Sequence, residues 1–134
     1  TFQALIKIKG TVPAKIIELT GITTDMLKAQ GEPLETVLPQ FLAFIGDLRL
    51  VSFNAPFDLG FLRQALRQQG LRLENPWSCA LDMARRAWPG RESYRLSELA
   101  KDGGMASQEH RVLGDCRLAL TVYAAAANRL RCIE

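Results

Sequence analysis

Three residues in two short stretches are of types that do chemistry together. Asp58 stands in Val51-Ser-Phe-Asn-Ala-Pro-Phe-Asp-Leu-Gly-Phe-Leu62, in the opening turn of a helix expected after an apolar strand. His110, the chain's only histidine, precedes Asp115 by five residues in Glu109-His-Arg-Val-Leu-Gly-Asp115, where a second helix is expected to begin. Carboxylates and a histidine brought together from separate helix starts are what metal-assisted phosphodiester hydrolysis needs. No other part of the sequence offers a comparable set.

Each of the three also has a plainer role. An acid in the first turn of a helix favours the helix dipole and can accept from free N–H groups, so Asp58 taken alone reads as a cap. Yet it shares a face with Phe61, Leu62 and Ala65, where a carboxylate is costly unless satisfied. Asp115 lies within about 40° of Ala119 around a helix of 3.6 residues per turn, bordering an apolar stripe of Val112, Cys116, Ala119, Leu120, Tyr123 and Ala127. A salt bridge to an arginine is its plainer use. A lone histidine before a helix is ordinarily a solvated loop residue, but its ordinary pKa near 6.5 suits a base that takes a proton from water. Asn54 is either a helix cap or a polar group aimed into the site. Phe57 and Phe61 read as core rather than as platforms for stacked bases.

The elements that must position these residues follow from pattern. Phe2 to Lys9 alternates apolar and polar side chains, with Leu5 the exception, and predicts a strand with one buried face. Pro13 opens a short helix ending at Gly21, and Thr23 or Thr24 caps another closed by Gly31. Apolar residues at Leu34, Val37, Leu38, Phe41, Leu42 and Ile45 predict a helix. Leu48 to Phe53 reads as a strand, and Pro56 starts a helix that stops at Gly70. Asn75-Pro76 leads to Trp77 and a helix through Arg86, Leu96 to Lys101 forms a short helix, and the last helix covers about Val112 to Leu130. Strands alternating with helices predict an α/β fold on one sheet.

Composition narrows the field. A chain of 134 residues makes one domain, and 48% hydrophobic content argues against disorder. The sequence carries no apolar run of membrane-spanning length and no signal peptide, so no membrane partner is expected. Three cysteines, Cys79, Cys116 and Cys132, form no C-x-x-C pair and fit a reducing cytoplasm, which predicts a cytoplasmic location. Net charge is +3, and arginine greatly outnumbers lysine. Arg63, Arg67, Arg85, Arg86, Arg91, Arg95, Arg111 and Arg117 suit bidentate phosphate contacts, although each by itself reads as part of a solvated helix face.

Both motifs resemble those of the DnaQ-like 3′–5′ exonucleases, the DEDDh group that includes the ε subunit of bacterial DNA polymerase III. The second motif of that family, Asn-Ala-x-Phe-Asp-x-x-Phe-Leu, is matched by Asn54 to Leu62, and the third, His-x-x-x-x-Asp, by His110 and Asp115. Ile16 to Thr23 is similar to the family's LTGIT turn, and Cys79 to Arg85 to its T-L-x-x-A-R helix. The resemblance implies a ribonuclease H-like mixed sheet flanked by helices, with residues 1–134 as one exonuclease domain. It assigns His110 to activation of the attacking water, Asp58 and Asp115 to two divalent cations, Mg²⁺ or Mn²⁺, and Asn54, Leu19 and Thr20 to the substrate. Its implied partners are single-stranded DNA 3′ ends and a DNA polymerase subunit. RNA trimming, or a module that binds nucleic acid or polymerase without chemistry, is the alternative.

The pattern departs from the family in one respect. No Asp-x-Glu sits on an apolar strand upstream of these motifs, so the expected fold lacks its first two strands, and the resemblance reads as a fragment of a longer nuclease. Two of four expected metal ligands are then missing, which predicts very weak hydrolysis. Strand edges left unpaired predict association, with a strand-exchanged dimer as one form.

Overall fold

The computed structural model describes residues 1–103 and 112–133. The first third of the chain is helical: α1 (Ala14–Thr20), α2 (Thr24–Gln30) and α3 (Leu34–Ile45). Thr23 caps α2 by accepting from the Met26 N–H, and Gly21 ends α1 in a left-handed conformation (φ 72°). The strand expected over Phe2 to Lys9 does not form. That segment makes one parallel bridge, Ile6 to Glu32, through Lys7 N–H to Glu32 O (2.9 Å) and Glu32 N–H to Leu5 O (2.8 Å). Alternation gave it a face to bury, but a ladder needs a neighbour, and the stretch after α2 supplies only one bridging position.

The middle of the chain carries the sheet. Strand β1 (Leu50–Ser52) leads into α4 (Ala55–Gln68), and β2 (Trp77–Cys79) leads into α5 (Ala80–Ala87). The two strands pair in parallel, Leu50 with Trp77 through Ser52 with Cys79. Among the described residues these two parallel strands are the sheet, within an α/β arrangement. Strand β2 forms where a helix from Trp77 is expected. Its three residues are too few to display a period of two, and Arg49 marks the pairing instead by donating to Trp77 O at 3.1 Å.

Two apolar clusters flank the strands. Ala55 and Leu59 of α4 pack with Cys79, and Leu50, Leu73 and Leu81 close around them. On the other side, Ala84, Leu96, Leu99 and Val122 gather Phe53, Trp88, Tyr94 and Leu118. Here α6 (Leu96–Asp102) and α7 (Val112–Ile133) complete the layer, with α7 lying along α5 and reaching β1. The α5–α7 contact is made by small side chains, Ala80, Ala84 and Ala87 against Ala119, Val122 and Ala126, all buried. Close approach of that kind displaces the expected stripe of α7, leaving Leu120 58% exposed. Among the described residues, no helix is long and apolar enough to cross a membrane.

Candidate active site

Asp58 is placed by a tight strand-to-helix turn. After β1, Asn54 adopts the left-handed conformation (φ 60°, ψ 53°), which asparagine tolerates better than most residues. Its carbonyl accepts from Phe57 N–H at 3.1 Å, and its side chain makes no capping bond. The reversal leaves room for Pro56 at the start of α4 and brings Asp58 round to face the end of β1. There the Ser52 hydroxyl donates to the Asp58 carboxylate. The buried stripe of α4 is Ala55, Leu59 and Leu66, so Phe57 and Phe61 fall outside it. They are 62% and 63% exposed and pack edge-on with centroids 5.0 Å apart, which corrects their expected place in the core.

Asp115 enters from the other side, in the first turn of α7. It heads the row Asp115–Ala119–Val122–Ala126 that faces α5, which makes it half-buried rather than solvated. Asp58 and Asp115 line one cleft of about 690 Å³ together with Ser52 and Phe53 of the β1 end, Arg95 and Ser97 around the start of α6, and Cys116. Burial raises the Cys116 thiol above its ordinary range, and the charges of Asp115 and then Asp58 push it the same way.

Of the other expected site residues, Asn54 stands at the α4 cap beside this cleft, whereas Leu19 and Thr20 are not among its lining residues. Thr20 spends its hydroxyl locally, donating to Ile16 O at 2.8 Å and accepting from Ile22 N–H at 3.1 Å. Leu19 is 44% exposed on α1. His110 lies outside the described residues. Arg95, one of the arginines suited to phosphate contacts, lines the cleft, as do Ser52, Ser97 and Cys116, which the sequence reading does not place there. The legible signal was Ser52, a hydroxyl at the end of an otherwise apolar strand.

The donors at the cleft are carboxylate oxygens, which match a hard divalent cation better than zinc. Among the described residues no three His, Cys, Asp or Glu side chains stand close enough to hold a metal ion. Asp58 and Asp115 are thus of a kind that fits such a cation.

A strand, a left-handed turn and an acidic helix start facing a second acidic helix start define the class. The chain belongs to the exonuclease family, whose sequence model (RNase_T, "Exonuclease") matches residues 1–123, and its domain is of the ribonuclease H-like type. It is similar to the DNA polymerase III subunit epsilon of Aquifex aeolicus, 36% identical over 124 residues, covering 91% of this chain and 61% of that protein. It is also similar to the PolC-type DNA polymerase III of Clostridium perfringens, 36% identical over 110 residues, which is 82% of this chain and 8% of that protein. Similarity to the PolC-type enzyme of Halalkalibacterium halodurans is 49% over 87 residues, 64% of this chain and 6% of that protein. The chain therefore spans less than two thirds of each of these relatives.

Proposed function

We propose that this chain is the nuclease part of a metal-dependent 3′–5′ exonuclease that removes nucleotides from DNA 3′ ends, of the proofreading or repair type. The observation that carries the reading is the single cleft lined by Asp58 and Asp115 from two separate helix starts. Asp58 and Asp115 are the ligands for divalent cations, Mg²⁺ or Mn²⁺, which when bound supply charge stabilisation at the phosphate and an activated water. Ser52 holds the Asp58 carboxylate in one orientation. His110, five residues before Asp115, takes the proton from the attacking water. Asn54 and the exposed Phe57–Phe61 pair, beside Asp58 in sequence, receive the terminal nucleotide, the exposed ring faces offering stacking surface. Leu19 and Thr20, on α1, contact the substrate beyond the cleft itself. The partners of the reading are a single-stranded 3′ end and a DNA polymerase in the cytoplasm.

A module that binds nucleic acid or polymerase without hydrolysing is the competing reading. RNA trimming differs only in substrate and is resolved by the same assay.

The test is a 5′-labelled single strand, DNA or RNA, incubated with excess protein and Mn²⁺. Shortening from the 3′ end, lost in His110→Ala and in Asp58→Asn, is expected. Binding with no metal-dependent shortening would leave the binding-module reading in its place.

A further inference from the structure

The arginines that stood out in the sequence do not share one fate. Arg85 pairs with Asp82 at 3.5 Å, Arg91 pairs with Asp102, and Arg49, Arg129 and Arg131 donate to oxygens nearby. Arg63, Arg67 and Arg72 take part in none of the described ion pairs or hydrogen bonds, yet they line one concavity of about 400 Å³ with Leu71, Leu73 and Glu74.

The backbone builds this cluster. Arg63 and Arg67 are one turn apart on α4, a like-charged spacing that destabilises a helix. After the helix, Gly70 takes a left-handed conformation (φ 69°), and Leu71 N–H reaches back to Leu66 O at 2.9 Å. That closure is the Schellman form, and it folds Arg72 back beside the other two. The helix dipole accounts for Arg67, in the last turn, but not for Arg63 one turn earlier or Arg72 beyond the end. Glu74 shares the concavity without pairing with any of them within 4 Å. At about 100° per residue, Arg63 and Arg67 lie roughly 140° and 180° around α4 from Asp58, and about 8–14 Å along it. The cluster is therefore separate from the carboxylate cleft.

We propose that Arg63, Arg67 and Arg72 form a phosphate site that grips the backbone of a nucleic-acid strand away from its reacting end. Guanidinium forks match phosphate oxygens, and Leu71 and Leu73 give a sugar an apolar seat. Nucleic acid as the occupant rests on the exonuclease reading; the anion site itself does not.

The test is anisotropy of a fluorescent single-stranded oligonucleotide in EDTA, across a salt series, with the full chain. In R63Q/R67Q/R72Q, affinity at low salt falls at least tenfold. The slope of log K against log salt becomes shallower by about 2, from three lost contacts at about 0.7 each. R63K/R67K/R72K keeps the slope but binds more weakly, because the charge remains and the fork is lost. K15Q/K28Q/K101Q, which removes three exposed charges elsewhere, leaves the slope unchanged. Circular-dichroism melts confirm that each variant folds. Equal slope changes in the arginine and lysine triple glutamine variants, an unchanged slope in the arginine variant, or no binding by the parent chain would each overturn the proposal. Binding in EDTA is independent of catalysis, so a chain that binds through these arginines but never shortens DNA defeats the nuclease reading alone.

Discussion

Ser52 and Asp58 are six residues apart in sequence and joined by a hydrogen bond, the serine hydroxyl donating to the carboxylate across the turn between β1 and α4. The bond makes the end of the strand part of the site. With Ser52→Ala, Asp58 keeps its place on α4 and loses its orientation. Loss of a partner behind a metal ligand typically costs 10–100-fold in metal affinity. We expect Mn²⁺ affinity, read by titration calorimetry, to drop by about tenfold while the melting curve hardly moves. Unchanged affinity would mean that the serine has no part in holding the carboxylate.

Asp58→Asn and Asp115→Asn should each abolish measurable Mn²⁺ binding and reduce any metal-dependent shortening of DNA by about 10²–10³-fold, the usual cost of losing a group that stabilises transition-state charge. The parent chain is expected to hydrolyse DNA weakly, because no Asp-x-Glu stands on an apolar strand upstream of the two motifs. Robust turnover by these 134 residues would mean that other side chains complete the ligand set.

Leu66 has no exposed surface and lies on the inner face of α4. Truncating it to alanine leaves a cavity under the helix that carries Asp58, a change worth about 2–5 kcal/mol. Chemical denaturation should show a lower midpoint with an unchanged slope.

Gly31 is crowded by backbone rather than by side chains. A Cβ there would press on Leu27 O and stand 2.8 Å from Lys7 N. Gly31→Ala should therefore cost about 1–3 kcal/mol, in the range of overpacked sites, and should break the Ile6–Glu32 bridge. Faster amide exchange at Lys7 and Glu32 is the readout.

Strand β1 pairs only with β2 among the described residues, so its other edge carries backbone groups without a ladder. Light scattering on the purified chain should detect dimers or larger species that pair this edge. A monodisperse monomer with a sharp melt would show the edge to be covered.

Much of the helical frame was legible because its signals are local. Pro56, Gly21 and Gly31 bound their helices through backbone chemistry and Thr23 through its side-chain cap, and Asp58 and Asp115 line one cleft. What sequence could not display was pairwise. Phe2 to Lys9 has the alternation of a strand and lacks a partner strand. Trp77–Cys79 became a strand through its partner, β1. The burial of Ala119, Val122 and Ala126, rather than Leu120, was decided by the alanines of α5, and Phe57 and Phe61 were left in solvent because the sheet meets α4 along Ala55, Leu59 and Leu66. Periodicity finds an amphipathic face but cannot tell which neighbour that face meets.

At the far end of α7, Arg129 donates through Nε to Ala87 O at 2.7 Å, fastening the helix to the terminal carbonyl of α5. Fourteen residues separate Arg129 from Asp115, about 21 Å of helix at 1.5 Å per residue. Helix α7 thus has a long lever geometry, packed on alanine contacts and fastened remotely from the carboxylate it carries. A tilt of a few degrees at the clamp displaces the Asp115 end by about an ångström, enough to mis-set a ligand. The alignment of the cleft is consequently a long-baseline property, sensitive to positions that no inspection of its walls would single out.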